Sequence, residues 1–136
     1  MSEQNVEIVR QLIALGEQAR GGGLASLPMD LVTPDMEIDL SRRVFNPETY
    51  RGLDGWIRLN DELREVWTEW HVTPERIVAV GDRVVSIEAV RGRGRGSGLE
   101  TEARYASIWT FANGRVTRVE IGFQPDEALK AVGLEQ

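Results

Sequence analysis

Cysteine is absent from this 136-residue chain, and histidine and lysine occur once each, as His71 and Lys130. Without cysteine there is no disulfide framework, no thiol redox chemistry and no thiolate for zinc or an iron–sulfur cluster. A lone histidine leaves carboxylates as the remaining metal-ligand type, and the residues point to no metal and no cofactor. An excess of positive charge is also lacking: 16 basic residues stand against 22 acidic ones, a net charge of −6. Such a molecule repels polyanions, so neither nucleic acid nor an anionic membrane is an expected partner. No segment approaches the ~18 uninterrupted apolar residues of a membrane span. The opening "MSEQNVEIVRQL" has no basic region leading into an apolar core. These absences imply a soluble, cytoplasmic chain. With 41% of positions apolar, it suits one globular domain spanning residues 1–136 with a buried core.

Periodicity supplies the elements. Val6, Ile8, Val9, Leu12, Ile13 and Leu15 repeat at three-to-four spacing, which predicts an amphipathic helix over 2–20, stopped by Gly21, Gly22 and Gly23. A short helical stretch is expected around 24–31, then a turn at "TPD" (33–35) and a first strand in "MEIDLS". Helical spacing returns from Leu53 to Trp67, with Asp54 in the first turn and Asn60 interrupting the apolar stripe. From Trp70 the period becomes two. "WHVTPERIVAV", "RVVSIEAVR", the segment ending in "YASIWTF" and "RVTRVEIGF" read as a four-strand meander with turns at Gly81-Asp82 and Asn113-Gly114. "PDEALKAVGL" closes the chain as a short helix opened by Pro125 and ended by Gly133.

The run "RGRGRGSG" (91–98) is the single low-complexity stretch. It lacks the P-loop pattern, its glycines do not follow GxGxxG spacing, and a strand rather than a helix comes next. It reads as the turn of a hairpin with solvated arginines.

Helices followed by an antiparallel meander define an α+β plan in which N-terminal helices pack on a curved, mainly antiparallel sheet. On "YRGLDGWIRL", "VAVGDRVVSIEAVRGRGRGSG", "WTFANGRV" and "EALKAVGL", the chain resembles the SnoaL-like branch of the nuclear transport factor 2-like superfamily. The resemblance implies a conical, cystatin-like fold, a pocket between the helices and the concave sheet face, and a homodimer. Ketosteroid isomerases, polyketide cyclases, limonene-epoxide hydrolases and scytalone dehydratases share that fold, so it does not choose a reaction.

Strand parity, superposed on the ketosteroid isomerase pattern, assigns three rows to the pocket. These are Val119, Ile121 and Phe123; Tyr105, Ser107, Trp109 and Phe111; and Val85, Ile87, Ala89 and Arg91. Such a pocket suits a small hydrophobic ligand carrying one or two oxygens. The candidate catalytic groups are Asp39, near the isomerases' general base, His71, whose ordinary pKa is near neutrality, Tyr105, and Ser107, where the isomerases place an oxyanion donor. A gapless superposition puts Leu40 rather than Asp39 at the base position, and each candidate also has an ordinary structural role open to it. Trp56, Asn60, Ile87, Arg91, Trp109, Val119, Ile121 and Phe123 are the expected ligand contacts. A noncatalytic ligand-binding or dimerisation module is the alternative.

Overall fold

A computed structural model describes residues 2–20, 28–43 and 47–134. Helix α1 spans Ser2–Arg20, strand β1 Val32–Asp39, β2 Thr49–Arg51 and helix α2 Gly52–Val66. Strands β3 (Trp67–Val80), β4 (Arg83–Gly94), β5 (Glu100–Ala112) and β6 (Arg115–Phe123) follow, and helix α3 covers Pro125–Ala131. The strands form one sheet in the order β2-β1-β6-β5-β4-β3. Every neighbouring pair is antiparallel except β1 with β6, which runs parallel.

The α+β plan is therefore observed: α1 and α2 lie on one face and α3 on part of the other. α1 buries Ile8, Val9, Leu12 and Ile13 against Val32, Val84, Val116 and Trp109. These are the apolar positions whose spacing marked the helix, and each fully buried side chain of this size contributes ~1.5–3 kcal/mol of transfer free energy. On the opposite face Val85, Ile87, Ala106, Ile108 and Phe123 pack against Ala128, Leu129 and Val132. Gln124 and Glu127 close a capping box at the start of α3, which fixes where the chain turns back onto the sheet.

Three local expectations change. Residues 33–35 continue β1 instead of turning, and the irregularity of "TPD" shows up as a register shift between Val32 and Glu37 along β6. β3 starts at Trp67, which caps α2 in extended conformation, so helix and strand adjoin without a loop. The proposed helix at 24–31 lies partly outside the described residues. Its end, 28–31, is a turn in which the Leu31 N–H donates to the Pro28 carbonyl at 2.9 Å.

Candidate functional site

Between α1, α2 and the sheet is a cavity of about 990 Å³. Its walls include all four tryptophans, Trp56, Trp67, Trp70 and Trp109, with Val119 and Ile121 on the sheet side. On that wall stands one buried carboxyl, Glu88, 4% exposed. The Ser107 hydroxyl donates to Glu88 Oε1 at 3.0 Å, and Tyr105 is the cross-strand partner of Glu88. One step along the ladder, Ser86 lies opposite Ser107 and accepts the Trp109 indole N–H at 2.9 Å. That bond fixes the Trp109 ring at the cavity wall. A serine, a tyrosine and a carboxyl thus share one face of two central strands, because directly opposed residues of an antiparallel pair project to the same side.

A second network reaches the lining through Arg43, Glu48 and Glu62. Tyr50 donates its hydroxyl to Glu62 Oε1 at 2.5 Å and accepts from the Arg43 guanidinium at 2.7 Å. Burial first, and then the bond to Glu62, push the Tyr50 pKa up against the opposing pull of Arg43, so the phenol stays a neutral donor. Arg58 sits 4.4 Å above the Tyr50 ring and binds both Glu48 and Glu62.

Trp56, Tyr105, Ser107, Trp109, Val119 and Ile121 line the cavity. The β4 row is shifted by one residue. Cross-strand pairing puts Glu88, not Ile87 or Ala89, opposite Tyr105, so Ile87 faces α3. Arg91 shares that parity and lines a separate cleft of about 230 Å³ with Glu69, His71 and Arg93. Phe123 leaves its row because a bulge interrupts the β5–β6 ladder between Ala106 and Ser107. Gly122 there takes φ +104°, a left-handed conformation that side-chain-bearing residues rarely adopt. The bulge turns Phe123 to the α3 side, where the Arg42 guanidinium covers its ring at 4.0 Å.

Asp39 is also away from the cavity. Ile38 and Leu40 line it, whereas Asp39 pairs with Arg118 and accepts the Ser41 N–H at 2.8 Å. Burial tends to raise its pKa, but the Ser41 hydrogen bonds and the charges of Arg118 and Arg42 outweigh this and hold it below the ordinary value. The residue is thereby kept ionised. His71 sits at the edge strand: its Nδ1 is 3.2 Å from Glu17 and its Nε2 is 3.6 Å from Glu69. Glu17 also accepts the Val72 N–H, pinning α1 to the free edge of β3. Asn60 is 2% exposed and donates to the Trp56 carbonyl at 2.9 Å, while its Oδ1 has no partner among the described residues.

That unpaired oxygen yields a stability prediction. Asn60→Leu removes a buried acceptor that has no partner among the described residues, so the variant is expected to equal the parent or gain up to about 1 kcal/mol in thermal unfolding. A loss above that would assign Asn60 a partner.

A six-strand mixed sheet with α1 and α2 over the cavity on one face has the cystatin-like, nuclear transport factor 2-like fold. The SnoaL-like domain family matches residues 18–119, and the chain belongs to it. A comparison with curated proteins gives no match. Among solved structures, an NTF2-like protein of unknown function from Burkholderia pseudomallei K96243 is similar at 20% identity and TM-score 0.71, covering 96% of this chain and 98% of that one. TerC, co-crystallized with polyporic acid, is similar at 20% identity and TM-score 0.71 over 95% of this chain and 97% of its own. A protein with a ketosteroid isomerase-like fold from Catenulispora acidiphila DSM 44928, in complex with trimethylamine, reaches TM-score 0.70 at 17% identity over 94% and 93% of the two chains. At these identities the likeness is one of fold.

Proposed function

We propose that the cavity binds a small, largely hydrophobic molecule whose oxygen function meets the sheet wall, and that Glu88 moves a proton there. The observation carrying this reading is a single buried carboxyl, engaged by Ser107 and opposite Tyr105, on a wall otherwise apolar and aromatic. Tuned carboxyls in apolar sites serve as general bases and acids without any cofactor. In the simplest step Glu88 takes a proton from a carbon next to a carbonyl, the C–H electron pair moves into the C–C bond, and the carbonyl oxygen takes up the charge. Tyr105 supplies the hydroxyl that stabilises that oxygen. Asp39 and His71 have no part in it, being outside the cavity. TerC with polyporic acid and the Catenulispora protein with trimethylamine support, for this fold, a place for small organic molecules.

The test needs no known substrate. 2-Tetralone has an acidic C–H beside its carbonyl, and deuterium uptake from D₂O, followed by NMR, reports proton abstraction directly. Uptake above the buffer rate that disappears in Glu88→Gln is the expected result; equal uptake in parent and variant would remove Glu88 from the mechanism. A binding module without turnover is the second reading, favoured by the fact that Ser107 is spent on Glu88 and Trp109 on Ser86. Saturable binding with no deuterium uptake from any ketone would select it.

A further inference from the structure

One end of the cavity has a chemistry that the sheet wall does not explain. There α2 ends and β3 begins, and Trp67 and Trp70 come together with ring centroids 4.8 Å apart and planes tilted by 42°. Two features of the chain bring them together. A bulge between Trp67 and Glu69 in the β3–β4 ladder lets two residues three apart share a face. Gly92, on the neighbouring strand, leaves the space their rings fill. Both indoles line the cavity, and so does Glu65 at the end of α2.

The charge of the lining leans negative at this end: Arg58 pairs with Glu48 and Glu62 beside the Tyr50 network, while Glu65 lies at the tryptophan end. The ionisable carboxyls of the lining are Glu48, Glu62, Glu65 and Glu88, against the single guanidinium of Arg43 among the described residues. Arg43 is already bound to the Tyr50 hydroxyl. Arg64, three residues before Trp67, and Arg95, which reaches the Trp67 carbonyl from the hairpin, do not line the cavity. Arg64 pairs with Asp61, and Arg95 binds the Arg64 carbonyl at 2.8 Å and the Trp67 carbonyl at 3.4 Å. Indole faces attract cations through the ring quadrupole, and tryptophan is the strongest of the aromatic side chains in this respect. A carboxylate ligand would meet neither a free cation nor a favourable field here.

We infer that the ligand carries a protonated amine, seated against Trp67 and Trp70 beside Glu65, with its oxygen function at Glu88. This rests on the reading of the cavity as a binding site and adds the charge of what it binds. Tyramine, 4-ethylphenol and 4-hydroxyphenylacetate present the same phenol with a cationic, a neutral and an anionic tail. Calorimetric titration of the intact protein is expected to rank them in that order, tyramine exceeding 4-ethylphenol by about five- to tenfold, as a cation–π contact with a nearby carboxylate predicts. In Glu65→Gln and in Trp70→Leu the tyramine advantage shrinks to about twofold or less, while 4-ethylphenol affinity changes little in Glu65→Gln. Because Trp70→Leu alters packing, Glu65→Gln, an exposed and isosteric change, is the deciding variant. Binding of 4-ethylphenol with no preference for tyramine, or a preference untouched by Glu65→Gln, overturns the amine site and leaves the cavity reading standing. If none of the three binds, both fail together.

Discussion

Gly92→Val is expected to cost about 2–3 kcal/mol of stability, seen as a fall of roughly 6–12 °C in the unfolding midpoint. Gly92 is buried in β4 directly beneath the tryptophan pair. A Cβ there would lie 2.7 Å from Trp70 Cε3 and 3.0 Å from Trp67 Cε3. Neither contact is with the free end of a flexible side chain. Both are with the fused rings of indoles, so relief requires the rings or the strand itself to move. Displaced rings also change the cavity they line, so the variant is expected to lose ligand affinity together with stability. Gly94→Ala is the control, since the one close contact of its Cβ would be the Ser97 hydroxyl at 2.7 Å, the end of a small exposed side chain whose movement costs at most its bond from the Leu99 N–H. A Gly92→Val protein as stable as Gly94→Ala would mean that the two tryptophans do not rest on this strand.

The same glycine explains what composition left ambiguous about "RGRGRGSG". As a string it is low-complexity; in the fold its residues divide by role. Gly92 makes room, Arg93 bonds Glu69 at 3.1 Å and Glu100 at 2.5 Å, and Arg95 binds carbonyls at the end of α2. Arg93, and to a smaller degree His71, hold Glu69 below the ordinary carboxylate range. The hairpin itself was legible, and so was its partner strand, because turn residues and period-two patterning are local signals.

The face of β4 was not legible from its own pattern. Val84, Val85 and Ser86 are fully buried, and Ile87 and Glu88 nearly so, because α1 and the cavity cover one face and α3 the other. In a strand buried on both sides the apolar row does not mark the cavity face: here Val85 and Ile87 face α3, and the row carrying Glu88 faces the cavity. The missing information lay in the hairpin: a turn centred between Gly96 and Ser97 places Glu88 opposite Tyr105 and Ser86 opposite Ser107. Fixing that centre would have found the buried carboxyl. Phe123 was lost to a bulge that Gly122 permits but does not announce. For β1, the Leu40 alignment was the better guide. Leu40 lines the cavity and Asp39 faces the other way, as a period of two requires. Three-residue β2 has too little pattern to be seen from sequence.

Arg118→Met is expected to destabilise the fold by about 2 kcal/mol at pH 7, with the deficit closing in acid. In the parent, one guanidinium reaches Glu37 and Asp39 and approaches Glu120 at 3.9 Å, while Arg51 supports Glu37 from the neighbouring strand at 2.6 Å. The Asp39 side chain is only 10% exposed, so removing Arg118 leaves a nearly buried charge with the Ser41 hydrogen bonds and the more distant charge of Arg42. Breaking a fully buried pair costs more than this, but Arg118 is 36% exposed and water screens part of the attraction. The pH dependence follows from the direction of the Asp39 shift. Its folded pKa lies below the ordinary value of 3.8, so the parent holds this stabilisation in full above about pH 4–5 and loses it as pH falls through the folded value. In Arg118→Met that pKa rises toward or past the unfolded one, and protonation relieves the stranded carboxylate instead of breaking a pair. Urea unfolding from pH 7 to pH 3 should therefore show two curves converging below about pH 4. Arg118→Lys, which keeps the charge but not the fork that spans two carboxylates, should fall between them. A deficit constant across that range would place the effect of Arg118 in packing, and the charge of Asp39 would have no part in holding β1 to β6.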